Sequence, residues 1–489
     1  MTIRYRPALF ALLASTMLAA SPAMALAPAA TPEGAQKLAA SFQTYFGKYA
    51  SAETGIVTVT PEGSAYRVSI DPARIGKQLA GSGFALEMKP LELMLSEVGD
   101  GTWNVVSSGI PSFSLKGPDG FEEQVNYLNF KQEGLFDPAL GMFRSLKSAG
   151  DGVAITARNK VMDQIQTMGP STSTLTTVPV GPKVGDVTAE GTISKYDVQI
   201  TLPASPGVKP GPAKQVAINL NSGTFTLGMK EFHSRDALDL LAFFVANPDK
   251  EAIVAKQADL KALMRNVMPG FASVTESVSF KDLSVTTAEG VFAGKNLGFA
   301  LDISGAVPNS HYHIALKGTD LTYPAKMLPE WMTGLVPTLF DTSILVSGMD
   351  FGAAASESIE DFSLATTPSI SGADASKIFQ KLMPAGYATL TLPPGHIASG
   401  LLDVKYDGIM TFGERQMAGK FNITAAGMDK AVEKLTAAMQ KDPSAAQAFG
   451  ALSVAKGLGK PGPDGTLVWV VEMTPDRKVL INGAPFGGK

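Results

Sequence analysis

Short runs in which apolar and polar side chains alternate recur along most of the chain, and they restrict its fold more than any other feature. Leu402, Val404 and Tyr406, for example, alternate with charged residues. Successive side chains of a strand point to opposite faces, so such a run predicts a strand with one buried and one solvated face. Turn signals such as Asp100-Gly101 and Pro61-Glu62-Gly63 separate the runs, which is typical of hairpins in an antiparallel sheet.

Helical spacing of apolar residues replaces this alternation in a few segments. Thr31 and Pro32 provide the cap and the first residue of an N-terminal helix, where the missing N–H of proline costs nothing. The other helical segments are a pair at 234–269, a short helix near 374–383, a short helix over 136–149 that Asp137-Pro138 would open, and C-terminal helices at 428–459 before a closing hairpin at 466–483. The sequence therefore predicts an α+β fold, with a large curved antiparallel β-sheet of meander hairpins and short amphipathic helices packed on it.

One stretch interrupts the strand pattern and predicts a domain boundary. Residues 168–185 are rich in Thr, Ser, Pro and Gly and have no apolar period. We therefore expect an N-terminal domain of a helix plus a β-meander over 26–170, and a larger β-rich domain over 186–489. Four prolines at 202–214 predict a stiff hairpin tip between two strands.

Residues 1–25 have the layout of a secretory signal peptide. Two arginines precede an apolar run, and Ala23-Met24-Ala25 places small residues where signal peptidase reads the chain. We expect cleavage after Ala25, a mature chain that begins at Leu26, and an exported, periplasmic protein. The apolar run is shorter than the roughly 20 residues of a transmembrane helix, and the alternative is an uncleaved N-terminal anchor. A lipoprotein is excluded because the chain has no cysteine.

The charge and composition of the mature chain exclude several classes of partner and site. Removing the signal takes away two arginines and no acid, so 45 acidic residues face 39 basic ones, a net charge of −6. This mild acidity argues against binding to nucleic acid. No later run reaches 18 apolar residues, so we expect no transmembrane segment in the mature chain. The absence of cysteine rules out disulfides, Cys-ligated metals and a Cys nucleophile.

No catalytic, cofactor-binding or metal-binding constellation stands out in the sequence. His311 and His313 would point to one face of a strand, but a transition-metal site needs a third ligand that the sequence does not identify. Ser453 and Lys456 have the Ser-x-x-Lys spacing of one helical turn, without the companion elements of the enzymes that use it. We therefore expect no cofactor, no metal and no catalytic residue, and the protein is predicted not to be an enzyme.

Apolar side chains are abundant, with 20 Met and 25 Phe. Such side chains fill ordinary cores, and Met also lines adaptable apolar grooves. In the helix predicted at 234–246, Leu240, Phe243 and Phe244 extend the apolar surface beyond one contact face. Either this helix packs on two sides, in which case Phe244→Ala costs roughly 3–5 kcal/mol, or these three residues form a surface for a hydrophobic ligand.

Local patterns at both ends of the mature chain resemble those of known proteins. They are Thr31-Pro32-Glu33 before a short aromatic helix, and the closing hairpin around Thr474-Pro475-Asp476 and Asn482-Gly483, with a meander and short helices between them. In these respects the chain resembles a family of uncharacterised exported bacterial proteins. More distantly, it is similar to β-rich periplasmic envelope proteins of the AsmA and YdgA kind. The resemblance implies export and an elongated curved sheet, and it brings no catalytic residues.

These features favour a non-catalytic exported envelope protein that binds or shields a hydrophobic, lipid-like ligand or another envelope component. The first alternative is a structural or protein-interaction module of the periplasm with a filled core. The second is a hydrolase with a dispersed site. A continuous apolar groove would favour ligand binding, and a solid core would favour the structural module. A pocket in which Ser, His and acidic groups converge would favour the hydrolase.

Overall fold

The structure is a computed structural model that describes residues 29–50, 53–74, 83–202, 214–367, 369–413 and 417–486. The signal segment 1–25 and nearly all of the predicted hairpin tip at 202–214 lie outside these described residues. The chain divides into two compact units. The first unit comprises Met1–Val216, Thr224–Val274 and Ser358–Gly372, and the second comprises Ala217–Gly223, Thr275–Glu357 and Ala373–Lys489.

The first unit is built mainly from antiparallel strands. Its strands are β1 (Val57–Glu62), β2 (Ala65–Ile70), β3 (Ala85–Met88), β4 (Leu91–Val98), β5 (Thr102–Ser107), β6 (Phe113–Gly117), β7 (Phe121–Leu128), β8 (Lys131–Asp137), β9 (Met142–Gly150), β10 (Gly152–Asn159), β11 (Met162–Met168), β12 (Ser171–Gly181) and β13 (Val184–Leu202). They pair in the order β1-β2-β4-β5-β8-β9-β12-β13-β11-β10-β7-β6-β3. The helices of this unit are α1 (Pro32–Phe46), α2 (Ser234–Ala246), α3 (Lys250–Ala255) and α4 (Gln257–Val267).

Helix α1 packs on the sheet and completes the core of the first unit. The Thr31 side chain accepts a hydrogen bond from the Gly34 backbone N–H at 3.0 Å, and Pro32 is the first helical residue, as predicted. Leu38 and Phe42 of α1 are buried against apolar residues of β1, β2, β4, β5, β8 and β9. Burying each such side chain stabilises the fold by about 1.5–3 kcal/mol. This part of the protein therefore has a solid core filled by side chains.

Residues 136–149 form a hairpin, and the helix predicted there is wrong. The Asp137 carboxylate accepts backbone hydrogen bonds from Ala139 and Leu140 at 2.8 and 3.3 Å, as a helix cap would. Gly141 then adopts a φ of +68°, which ends the helical turn and brings β9 back alongside β8. Asp137-Pro138 thus begins a helical turn, as the sequence predicts. The same residue pair occurs both at the start of a helix and in a single turn of a hairpin loop, so it does not by itself predict a helix.

The rest of the chain continues with longer strands and further short helices. The strands are β14 (Lys214–Phe232), β15 (Ser273–Thr287), β16 (Gly290–Ser304), β17 (Ser310–Thr319), β18 (Pro337–Met349), β19 (Tyr387–Ser399), β20 (Asp403–Gly413), β21 (Met417–Ala426), β22 (Lys460–Pro461), β23 (Leu467–Met473), β24 (Val479–Ile481) and β25 (Ala484–Phe486). The helices are α5 (Phe351–Asp361), α6 (Gly372–Leu382), α7 (Met428–Met439) and α8 (Ala445–Leu458). In the second unit the strands pair antiparallel in the order β16-β17-β18-β19-β20-β21-β23-β24-β25, and β22 also pairs with β23.

The predicted α+β class, with mostly antiparallel strands and short helices, is confirmed. The region predicted as a helical pair at 234–269 contains three helices, because Lys256 separates α3 from α4. The predicted boundary at 168–185 is occupied by β12 and the start of β13, which pair with each other. Among the helices that the structure describes, none is long and apolar enough to cross a membrane.

Candidate functional site

The long strands of the second unit separate apolar from polar residues by face. Ile314 on β17 lies opposite Leu301 on β16 and Ile344 on β18. The preceding residue, His313, lies opposite Asp302 and therefore on the other side of the sheet. Directly opposed residues of an antiparallel pair share a face. We call the side of Ile314 the apolar face and the side of His313 the polar face.

The apolar face runs without interruption across eight strands. One row of directly opposed residues crosses β16, β17, β18, β19, β20, β21, β23 and β24, and it consists of Ile303, Tyr312, Val346, Leu390, Met410, Gly419, Met473 and Val479. No residue of this row is charged. The neighbouring row on the polar face carries the charged residues Asp302, Lys420 and Glu472, together with the apolar residues Leu345, Ile409 and Leu480. The two faces therefore differ in that charged side chains occur in this row and not in the row of the apolar face.

Helix α8 covers one end of the apolar face. Trp469 on β23 is buried beneath α8, to which its Nε1 donates a hydrogen bond at the Ala455 carbonyl oxygen, 2.8 Å away. Over β17 and β18 the same face is open to solvent, since Tyr312, Leu316 and Ile344 are 42%, 44% and 46% exposed. Contiguous exposed apolar surface of this kind is uncommon on soluble proteins unless it binds something.

Aromatic rings lie against glycines at three cross-strand positions of this face. Phe340 covers Gly318, Tyr406 covers Gly395, and Phe421 covers Gly408 in the neighbouring strand. A Cβ at any of these glycines would come closer than 3.0 Å to carbons of the ring, a distance that real Cβ atoms essentially never show. Glycine beneath an aromatic ring keeps the surface smooth and relieves crowding where a sheet bends.

Two lysines of the polar face form ion pairs with acidic residues of the same face. Lys317 Nζ lies 2.8 Å from Asp341 Oδ2, and Lys420 Nζ lies 3.0 Å from Glu472 Oε1. These side chains are all more than a third exposed, so each ion pair contributes little to stability. The polar face is an ordinary solvated surface and offers no concentrated charge for a ligand.

Asp302, His311 and Ser304 meet where β16 turns into β17. His311 Nε2 lies 3.1 Å from Asp302 Oδ1, and His311 Nδ1 lies 2.8 Å from Ser304 Oγ. This is the order of groups in a Ser-His-Asp relay, with the two ring nitrogens exchanged. Ser304 is only 8% exposed, and its Oγ also accepts the backbone N–H of His311 at 3.0 Å. These contacts hold the turn together and leave little access to the hydroxyl.

The other polar groups singled out in the sequence do not assemble a site. His313 Nε2 is buried and has no hydrogen-bond partner in the described part of the chain. Within those same residues, no group of three His, Cys, Asp or Glu side chains is placed to hold a metal. Lys456 Nζ lies 2.5 Å from Asp429 Oδ1 and is thus engaged in an ion pair rather than serving Ser453 as a base.

The predicted ligand surface of α2 belongs to the first unit. Leu238 of this helix is buried with Tyr45 of α1, and α2 also contacts α4. Leu240 and Phe243 are partly buried, whereas Phe244 is 42% exposed. The rings of Phe243 and Phe244 meet edge to face, with centroids 5.7 Å apart. These three residues form a small local patch, and sequence reasoning did not identify the larger apolar face.

Burial perturbs one carboxyl group of the first unit. Glu123 on β7 lies opposite Leu115 on β6 and Ala157 on β10. Desolvation raises the pKa of the Glu123 carboxyl above its ordinary value. Burial likewise raises the pKa of the nearby Tyr127 hydroxyl, and the Glu123 charge adds to that rise. The protonation of Glu123 is therefore coupled to the stability of this unit.

The chemistry of the apolar face suits a long hydrocarbon chain. Five strands from β16 to β20, at a spacing of roughly 4.8 Å, give a path of about 19 Å on which an extended acyl chain fits. Such a chain would replace water on side chains that already share its nonpolar character. Comparison with protein-family models, curated proteins and solved structures found no match to this chain, so its function is inferred from the apolar face itself.

Proposed function

We propose that this is an exported, non-catalytic protein of the cell envelope that binds or shields a lipid-like hydrophobic ligand on the apolar face. One observation carries the proposal: the row formed by Leu301, Ile314 and Ile344 is aliphatic on every strand from β16 to β18, and Ile344 is 46% exposed. Covering a side chain of this kind is worth about 1.5–3 kcal/mol when burial is complete. Covering several half-exposed side chains that lie side by side would therefore favour the binding of an acyl chain. The proposed export rests on the signal-like residues 1–25.

The alternative function, a structural module with a filled core, agrees better with the first unit than with the second. It suits the first unit, where α1 and the sheet bury Phe42, Leu95 and Phe136 together. Among the described residues of the second unit, the buried apolar cluster around Ala425, Met428 and Trp469 lies at the end covered by α7 and α8. The open part of the apolar face is what favours a ligand over a purely structural role.

A pair of neighbouring residues on β18 provides a matched test. Ile344 lies on the apolar face, and Ser343 lies next to it on the polar face. We expect the wild-type protein purified from its own envelope to carry lipid in native mass spectrometry. Ile344→Asp should lower lipid occupancy roughly tenfold or more, because it places a charge in the path of the chain. Ser343→Asp adds the same charge on the other face and should leave occupancy unchanged.

Both substituted positions are at least partly exposed, so both variants should retain the thermal stability of the wild type. Equal loss of lipid in the two variants would show that an added negative charge lowers binding regardless of the face on which it lies. That result would contradict a binding site on the apolar face. Lipid-free wild-type protein that also fails to bind added phospholipid would refute the proposal.

The hydrolase is kept as a second candidate because of the contacts among Asp302, His311 and Ser304. Its test is hydrolysis of a chromogenic short-chain ester by the wild type and by Ser304→Ala. Activity that disappears in Ser304→Ala and not in Ser310→Ala would favour the hydrolase. We expect no Ser304-dependent activity, since the hydroxyl is buried and already accepts a backbone hydrogen bond.

A further inference from the structure

Two hydroxyl groups lie on the apolar face and are hydrogen-bonded to each other. They belong to Thr342 on β18 and Tyr406 on β20, so the bond crosses β19. The Tyr406 ring lies over Gly395 of β19, where a Cβ would be only 2.6 Å from Cε2 of the ring. Glycine at this position therefore allows the tyrosine to reach a strand that is not its direct neighbour.

The Thr342–Tyr406 pair leaves one hydrogen-bond donor unused. Each hydroxyl carries one hydrogen, and only one of the two hydrogens lies in the bond between them. Neither side chain makes another hydrogen bond within the residues that the structure describes. Both side chains are partly exposed, so water can accept the remaining O–H in the free protein. A hydrocarbon chain that covered the pair would remove that water, which is unfavourable unless the ligand supplies an acceptor.

The surroundings of the pair select an uncharged acceptor. Thr342 lies opposite Leu316, and Tyr406 lies opposite Gly395 and Ile423. A carboxylate or phosphate at this position would lose its water without gaining a cation. The carbonyl oxygen of an ester accepts a hydrogen bond and carries no net charge.

We propose that the Thr342–Tyr406 pair binds the carbonyl oxygen of an acyl ester and thereby fixes where the acyl chain begins on the apolar face. The ligand class is then an ester-linked lipid rather than a free hydrocarbon or a fatty acid. This inference rests on the proposed function and specifies the ligand of the same site. The ester group is common to phospholipids and acylglycerols.

The test compares lipids that differ only in the carbonyl group. A diacyl phosphatidylglycerol and its dialkyl ether analogue, with equal chains and headgroup, compete for the protein in native mass spectrometry. We expect the wild type to prefer the diacyl lipid about two- to tenfold, the range of one net hydrogen bond. A third arm with diacylglycerol distinguishes phospholipid from acylglycerol as the ligand. If the protein contacts only the ester and the acyl chain, diacylglycerol and the diacyl phospholipid should bind equally well, whereas a contact with the headgroup would favour the phospholipid.

Variants then assign the preference to the hydroxyl pair. Thr342→Val and Tyr406→Phe remove one hydroxyl each and still leave one free O–H, so each single variant should keep part of the preference. The double variant has no donor, and its preference should fall to about one while its affinity for the ether lipid stays unchanged. Ser343→Ala, which removes a hydroxyl from the polar face of β18, should behave as the wild type.

The outcomes separate this inference from the proposed function. If neither lipid binds, the proposed function fails as well. If both bind equally to the wild type, or if the double variant keeps the preference, only the ester inference is overturned. Should the double variant not fold, infrared spectra of a ¹³C-carbonyl lipid bound to the wild type decide. A carbonyl band shifted down from its position in dry hydrocarbon supports the hydrogen bond, and an unshifted band refutes it.

Discussion

Replacing Phe42 by alanine probes the core on which the first unit depends. Phe42 is 2% exposed and packs with buried residues of the sheet beneath α1. The substitution removes an entire ring from a site whose neighbours belong to six strands and cannot all relax into the space. Truncating a buried Phe costs about 3–5 kcal/mol. Alanine is the better helix former, but its advantage of less than about 1 kcal/mol does not offset that cost.

Phe244→Ala is the matched control on another helix. The sequence alone predicts the same loss of 3–5 kcal/mol here if α2 packs on two sides. Phe244 is 42% exposed, however, so much of its ring is in water before the substitution. The expected loss of stability is therefore roughly half of the value for full burial, about 0.75–1.5 kcal/mol.

Hydrogen exchange measured by mass spectrometry suits this comparison, since a protein with two compact units need not unfold in one step. Protection of amides in β2, β4 and β5 should fall between about a hundredfold and several thousandfold in Phe42→Ala. Phe244→Ala should lower the protection of the same amides about tenfold or less. Similar losses in the two variants would refute the distinction between a packed core under α1 and a half-exposed patch on α2.

Three further predictions concern pH, processing and metals. The folded state holds the Glu123 proton more tightly than the unfolded chain, because burial raises the carboxyl pKa. This group's contribution to stability is therefore largest below its unfolded pKa and is lost as pH rises through the folded value. The melting temperature of Glu123→Gln should exceed that of the wild type at neutral pH and converge with it near about pH 4, and a constant difference across that range would contradict the assignment. Intact mass of protein from the envelope should correspond to a chain cut after Ala25, and retention of residues 1–25 would show an uncleaved anchor. Elemental analysis after dialysis should find no stoichiometric metal, and a metal lost on joint replacement of His311 and His313 by alanine would show a site that the geometry does not reveal.

Local signals predict the elements whose causes are local. The Thr31-Pro32 start of α1 is correct because capping is settled within one turn of chain. The same reasoning fails at Asp137, where the cap is present but Gly141 turns the chain back into β9. At 168–185 the absence of an apolar period conceals two paired strands, since Thr172 and Thr192 face each other with hydroxyl oxygens 2.9 Å apart. Threonine is β-branched and favours strands even where both faces are polar.

The candidate site could not be predicted in the same way, because it depends on register between strands. Alternation at Val404 and Tyr406 correctly places these two residues on one side of β20. Nothing within that run indicates that the apolar sides of β16 to β24 all coincide, since a slip of one residue would reverse any strand. The hydrogen bond between Thr342 and Tyr406 joins residues 64 positions apart and crosses an intervening strand. Only the three-dimensional pairing brings such groups together.

The contrast between neighbouring residues of β18 is the strongest argument that the open apolar face serves binding. Ser343 and Ile344 occupy successive positions of one strand, and Ile344 is 46% exposed. A strand whose faces were both meant for water would carry polar residues at both positions, as β12 largely does. At the far end of the sheet the same apolar face is covered by α8 over Trp469. Since the row that crosses the face carries no charge from the covered end to the open end, the open end has the composition of an interior surface, and this is why we propose a hydrophobic ligand for it.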